Sequence, residues 1–197
     1  MLKKKGKEHI SKQQFLTPLQ KKILLFLTIN DPHDINETVK AVEGNYRSIW
    51  AVFKELKKKD LIKEINLKEY RGRKYPRYWA TEMGIIFALS ERVEPEILLK
   101  KTREIYPENR NLQFLIETIP ILGKSALNML YLSVETGGKI EEGDLISIFA
   151  SQRKLSPKKI KKYNSVAKRY PERYKQTQDY IIETKKNLKD LSDLFDV

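Results

Sequence analysis

The hydrophobic period changes twice in the first half of this chain. Up to Asp60, apolar residues recur about every 3.6 positions; from Leu61 to Lys68 they alternate roughly every second position, and after Thr81 the helical period returns. The order that results is helix, helix, turn, helix, strand, basic hairpin, strand, helix. It predicts a mainly α fold with a small β-hairpin.

The helix boundaries follow from capping chemistry. Thr17 is an N-cap and Pro18 occupies the first helical position, with Leu19, Ile23, Phe26 and Leu27 behind it, so a helix runs to about Ile29. Asn30-Asp31-Pro32 breaks it. Asp34 caps a short second helix in which Ile35, Val39 and Val42 share a face. Glu43-Gly44-Asn45 is a tight turn, and a third helix follows from about Tyr46 to Lys59 with Ile49, Phe53 and Leu56 on one face. Its other face is basic and carries Trp50.

After Asp60, Leu61, Ile65 and Leu67 fall on one face of a half-buried strand. Glu69 to Pro76 reads as a basic turn centred on Gly72, and Arg77 to Ala80 as the partner strand. Tyr70, Tyr75 and Tyr78 are expected to pack across the hairpin, because alternate strand positions share a face. Thr81, followed by Glu82 and Gly84, starts another helix.

The charge balance speaks about partners. The 197 residues carry 39 Lys and Arg against 26 Asp and Glu, a net charge of +13, and such an excess favours polyanions. Residues 1–92 hold +9 of it. There is no Cys and there are two His, which excludes disulfides, thiolate metal sites and Cys nucleophiles. The charged start, MLKKKGKEHISKQQF, has no apolar stretch behind it and does not read as a secretory signal. No uncharged apolar run reaches the roughly 18 residues of a membrane span. A cytoplasmic, nucleoid-associated protein is the expectation.

Three helices and a hairpin resemble a winged helix-turn-helix domain. Leu61-Ile62, then Gly72-Arg73-Lys74-Tyr75, then Tyr78-Trp79-Ala80-Thr81-Glu82-Met83-Gly84 resemble the wing of MarR/PadR-like transcription regulators, which commonly have Leu-Ile entering the wing, Gly-Arg near its tip, a Tyr soon after and then Thr-x-x-Gly. The likeness covers Thr17 to Arg92. Asp60 departs from it, since the family often has Gly at the end of the recognition helix. The resemblance implies residues 17–92 as a winged helix-turn-helix DNA-binding domain; outside it, charge and helical spacing give a basic flexible arm over 1–16 and an α-helical C-terminal region over 93–197, a candidate for dimerisation or interaction.

The residues themselves fit that reading. A helix of about 10 to 12 Å diameter fits a major groove about 12 Å wide. Tyr46, Arg47, Ser48, Trp50, Ala51 and Lys54 form the exposed face and its first turn. Arg47 suits bidentate contact to guanine, Tyr46 and Ser48 suit phosphate, and Ala51 suits a thymine methyl. Trp50 is open between a groove contact and packing on a neighbouring helix, and Lys57 to Lys59 between a DNA contact and a solvated helix end. Lys68, Arg71, Arg73, Lys74 and Arg77 surround Gly72 at the wing, which suits phosphates or a minor groove. The alternative is a solubilising loop. The N-terminal Lys3, Lys4, Lys5 and Lys7 are expected to be disordered.

The second half reads as helices over Glu94–Tyr106, Asn111–Thr136 and Leu145–Gln152, interrupted by Pro107 and Pro120, with Gly123 at a bend or end. Arg153 to Lys175 holds ten Lys and Arg and one acid, Glu172. Its Tyr163, Tyr170 and Tyr174 suit stacking on exposed bases, or the block is a solvated helix face. Ile181, Thr184, Leu188, Leu191 and Phe195 follow alternating spacings of three and four residues, and the apolar ones, Ile181, Leu188, Leu191 and Phe195, are candidates for homodimerisation.

No nucleophile with a base, no paired carboxylates and no phosphate-cradling glycines form an active site here, so an enzyme is not expected. No cofactor is implied. Three functions stay open at this level: a sequence-specific double-stranded DNA-binding transcription regulator, a winged-helix interaction module in a transcription, replication or partition complex, and RNA or single-strand binding through residues 153–175.

Overall fold

A computed structural model describes residues 16–123, 126–129, 132, 156–176, 179 and 182–183. The first helix, α1 (Pro18–Ile29), starts in a capping box: the Thr17 side chain accepts from the Gln20 N–H, and the Gln20 side chain accepts from the Thr17 N–H. Two donors that a helix start leaves unpaired are thereby satisfied. Asp34 and Glu37 repeat the device at α2 (Ile35–Val42). At α3 (Tyr46–Lys58) the Asn45 side chain accepts from the N–H groups of Arg47 and Ser48. An antiparallel pair follows, β1 (Ile62–Tyr70) and β2 (Arg73–Ala80). The remaining described helices are α4 (Glu82–Ser90), α5 (Pro95–Ile105), α6 (Arg110–Leu122) and α7 (Pro157–Ala167). The fold is helix-rich with one small sheet after the third helix.

The core is centred on α4. Every residue from Gly84 to Leu89 is buried, and a helix apolar on all sides belongs inside. α1, β2, α5 and α6 pack around it. One buried apolar cluster runs from Leu16 to Tyr170. Leu16 therefore belongs to the core and not to the N-terminal arm; residues 1–15, including Lys3, Lys4, Lys5 and Lys7, lie outside the described residues. The first half is joined to α5 by polar contacts as well. The Tyr106 hydroxyl donates to the Ala80 carbonyl at 2.8 Å, and Lys101 pairs with Asp31 at 2.5 Å.

Three sequence expectations need correction. The segment Glu69–Pro76 is not a turn: the strands continue to Tyr70 and Arg73, leaving Arg71 and Gly72 as a two-residue connection. Both have positive φ, 49° and 73°, as a type I′ loop requires. Strand pairing uses backbone groups, so a run of charged side chains did not prevent it. The half-buried face of β1 fades early, because the register shifts between Glu64 and Asn66. Beyond it Leu67 is 54% exposed and Ile65 only half-buried. Of the three hairpin tyrosines only Tyr78 is buried, edge-on to Phe53 at 5.1 Å, whereas Tyr70 is exposed and Tyr75 half-buried. The base of the hairpin is packed and its outer part projects.

Two further features were not legible. His33 exchanges both backbone hydrogen bonds with Tyr78, which adds a one-residue bridge between α1 and α2 to the free side of β2. A single residue has no period to read. Pro120, expected to interrupt a helix, lies inside α6, while Gly123, at φ 98°, ends that helix as its sequence position suggests. The expected helix to Thr136 is thus shorter, resuming over 126–129; Leu145–Gln152 lies outside the described residues.

The junction of α3, β1 and α4 is the tightest point of the fold. Asp60 takes a left-handed φ of 55° just past α3. The Asp60 N–H donates to Lys57 and the Leu61 N–H to Leu56, which is the Schellman pattern that usually calls for glycine. Asp is among the few side chains that tolerate this conformation, so the departure at Asp60 keeps the helix end. Thr81 then ties three segments together: its N–H donates to the Leu61 carbonyl at 3.0 Å, its hydroxyl donates to the Asp60 carbonyl at 2.5 Å, and that oxygen accepts from the Gly84 N–H at 3.2 Å. A Cβ on Gly84 would stand 2.2 Å from the Leu61 carbonyl oxygen. Gly84→Ala is therefore expected to cost about 2 to 3 kcal/mol, as an overpacked core position does, read as a lower urea midpoint at unchanged m-value.

Candidate nucleic-acid interface

α3 divides cleanly into two faces. Ile49, Val52, Phe53 and Leu56 are buried, while Tyr46, Arg47, Ser48, Trp50, Ala51, Lys54, Lys57 and Lys58 are exposed. At about 100° per residue the exposed residues fill the arc that the buried stripe leaves, with Tyr46 at one edge and Ser48 at the other. Its charges are positive apart from Glu55, the acid of this helix, which lies near the Ser48 edge of the arc. Trp50 is 42% exposed with the Lys54 Nζ 3.5 Å from its ring centre. Among the described residues Trp50 stands outside the buried apolar cluster.

The buried face of α3 rests on the base of the hairpin. Phe53 meets Tyr78, and the Lys57 Nζ lies 5.4 Å from the Tyr78 ring centre. From the Glu64 and Tyr78 pair to the tip pair Tyr70 and Arg73 there are six β1 residues, or about 20 Å at strand rise. Arg71, Gly72, Arg73 and Lys74 are all exposed at this tip. The Arg71 guanidinium stacks 5.2 Å from the Tyr70 ring centre.

The other two wing cations are placed differently. Lys68 bonds Glu37 at 2.5 Å, and Arg77 lies 3.7 Å from the same carboxylate. Glu37 is the residue that completes the α2 capping box, so α2 fixes it in place before it meets the hairpin. Partial burial pushes the Glu37 carboxyl up, but the Lys68 hydrogen bond, the Asp34 N–H and the two positive charges outweigh this and hold it below the usual range. The attraction to the wing is therefore fully present above the ordinary carboxylate pKa and is lost as pH falls through the lowered one. Arg77 is half-buried, with its Nε enclosed and lacking an acceptor. Sequence reasoning missed Glu37. The Asp-x-x-Glu box at Asp34 was readable, but a partner 31 residues away was not.

The basic block is also rearranged by the fold. Tyr163 and Tyr170 are buried against Phe114, with ring centres 6.3 and 5.5 Å away, and Tyr174 is half-buried. The Tyr170 hydroxyl donates to Glu117 at 2.7 Å, and Arg169 pairs with the same carboxylate. These rings are core, not stacking platforms. Lys158, Lys161 and Lys162 on α7, and Lys168 at its C-cap, remain exposed. The candidate dimer residues Ile181, Leu188, Leu191 and Phe195 lie outside the described residues.

Among the described residues no helix is long and apolar enough to cross a membrane, and no group of three or more His, Asp or Glu could hold a metal ion. The exposed and buried tryptophans give a direct check on the α3 face. Trp79 is fully buried and its indole N–H donates to the Asn30 carbonyl at 2.9 Å. Trp79→Ala should cost about 3 to 5 kcal/mol, whereas Trp50→Ala should stay within about 0.5 kcal/mol, both read by urea unfolding. Compared with models of known protein families, with curated proteins and with solved structures, the chain matches none of them.

Proposed function

We propose that the chain is a sequence-specific double-stranded DNA-binding transcription regulator built on a winged helix-turn-helix domain. The observation that carries this is the outer face of α3, where Tyr46, Arg47, Trp50, Ala51 and Lys54 are exposed together on a helix whose opposite face is buried. In this reading α3 lies in the major groove. Arg47 reads guanine, Ala51 meets a thymine methyl, and Tyr46 and Ser48 contact phosphates.

The order of elements supports the reading. A bridge residue between the first two helices, then a helix-turn-helix, then a hairpin whose second strand takes that bridge, is the arrangement expected of a winged helix. The hairpin's reach supports it too. A tip about 20 Å from the α3 contact is close to half of a DNA turn of roughly 34 to 36 Å, which separates a major groove from the neighbouring minor groove. Arg71, Arg73 and Lys74 then lie on the backbone or in that groove. A homodimer reading two half-sites fits such regulators. The burial of Tyr163 and Tyr170 weighs against single-strand binding through residues 153–175, since buried rings offer no stacking surface.

Substituting Arg47 and Lys54 together by Ala tests the groove assignment. The duplex affinity should fall at least tenfold, in line with about 1 to 3 kcal/mol for a bidentate base contact, with an unchanged unfolding midpoint. Unchanged duplex affinity would contradict the assignment and favour an interaction module.

A further inference from the structure

The wing carries five cations, and the structure treats them as two sets. Arg71, Arg73 and Lys74 are exposed at the tip, whereas Lys68 and Arg77 both face the carboxylate of Glu37. We propose that Glu37 is a positioning residue that holds the hairpin against α2 through Lys68 and Arg77, and withholds those two cations from DNA. The proposal rests on the duplex reading above and adds how the wing is set within it.

Three observations carry it. Glu37 is anchored from its own helix: its carboxylate accepts from the Asp34 N–H at 2.9 Å while the Asp34 side chain accepts from the Glu37 N–H at 2.8 Å. The acid is therefore built into the start of α2 and does not follow the hairpin. Register places Lys68 opposite Tyr75 and Arg77 opposite Asn66; positions that alternate along paired strands share a face, so both cations leave the same side of the hairpin. Little apolar packing does this work instead, because beyond Ile65 the strand exposes Leu67 and Tyr70. The one acid then sets the angle of a ribbon whose tip lies about 20 Å away. A small change of angle at α2 becomes a large displacement at Arg71 to Lys74.

The pairing also sets how strongly the wing binds indiscriminately. Each cation that reaches a phosphate makes log K fall by about 0.9 per unit of log salt. Glu37 offsets one of the two positive charges and keeps both cations turned toward α2, which lowers both the affinity and the slope of the wing. Binding energy is then left to α3, which touches base edges, and specificity rises relative to general backbone affinity.

Glu37→Gln separates this from a purely structural role. Gln at the third helical position keeps the capping box, as Gln20 does for α1, so the fold is retained while the charge is removed. On mixed-sequence duplex DNA, with salt titrated, Glu37→Gln should give a slope steeper by about one to two and roughly tenfold tighter binding at 0.1 M salt for each cation released. Lys68→Ala alone should leave the wild-type slope unchanged, and in the Glu37→Gln background should lower it by about one. An unchanged or shallower slope for Glu37→Gln in a protein with a wild-type unfolding midpoint overturns the proposal, as does a slope lost with Lys68→Ala alone. If neither the wild type nor Glu37→Gln binds duplex at low salt, the duplex reading itself fails and takes this one with it.

Discussion

The rest of the architecture hangs on one close approach, the packing of the α4 start against the backbone at Leu61. Thr81 bonds the carbonyls of Asp60 and Leu61 and caps Gly84, and only a residue without a Cβ lets α4 come this near to the Leu61 oxygen. That contact closes the hairpin at its base, because Leu61 precedes β1 and Thr81 follows β2. It also fixes the hairpin to α3, since Asp60 follows the C-cap Lys59 of that helix. The Thr-x-x-Gly signal at Thr81 to Gly84 thus has a mechanical reason: a cap that reaches back across the sheet and a glycine that makes room for it. α4 is then buried on all sides, and α1, α5 and α6 assemble around it.

Charge is distributed with similar economy. Some of the basic residues serve the fold. Lys101 pairs with Asp31, Arg169 and Arg103 converge on Glu117, and the Lys63 Nζ lies 4.3 Å from the Tyr106 ring centre. Others are exposed and form none of these pairs, as on the outer arc of α3 and at the hairpin tip, where Glu69 lies opposite Lys74 in the strand register. Exposed ion pairs contribute little to stability, so the first group matters chiefly for orientation. The net positive charge therefore overstates what is free to meet a polyanion, and the difference is most consequential at the wing.

Most of the first-half architecture was legible because its helix starts are chemical. Thr17, Asp34 and Thr81 each cap a helix through a side-chain oxygen, and such caps announce themselves in sequence. The α3 face was legible for the same kind of reason, since one period fixes both its buried and exposed residues. What escaped depended on distant partners. His33 has no strand neighbour in sequence, Glu37 meets the wing only in three dimensions, and the burial of Tyr163 and Tyr170, in a block whose sequence suits either stacking or a solvated face, depends on Phe114 and Glu117 far away in the chain. The hairpin was misjudged because its charged residues read as loop, whereas Arg71 and Gly72 alone make the turn.

The central claim, that the α3 face and the hairpin tip together bind duplex DNA, is tested most directly by fluorescence anisotropy of the protein on labelled mixed-sequence duplex DNA, single-stranded DNA and duplex RNA, with salt titrated. The account predicts micromolar or tighter binding to duplex DNA with a salt slope of several contacts, at about 0.9 per contact, and weaker binding to the other two. Absence of duplex binding at low salt, or a preference for single strands, would contradict it.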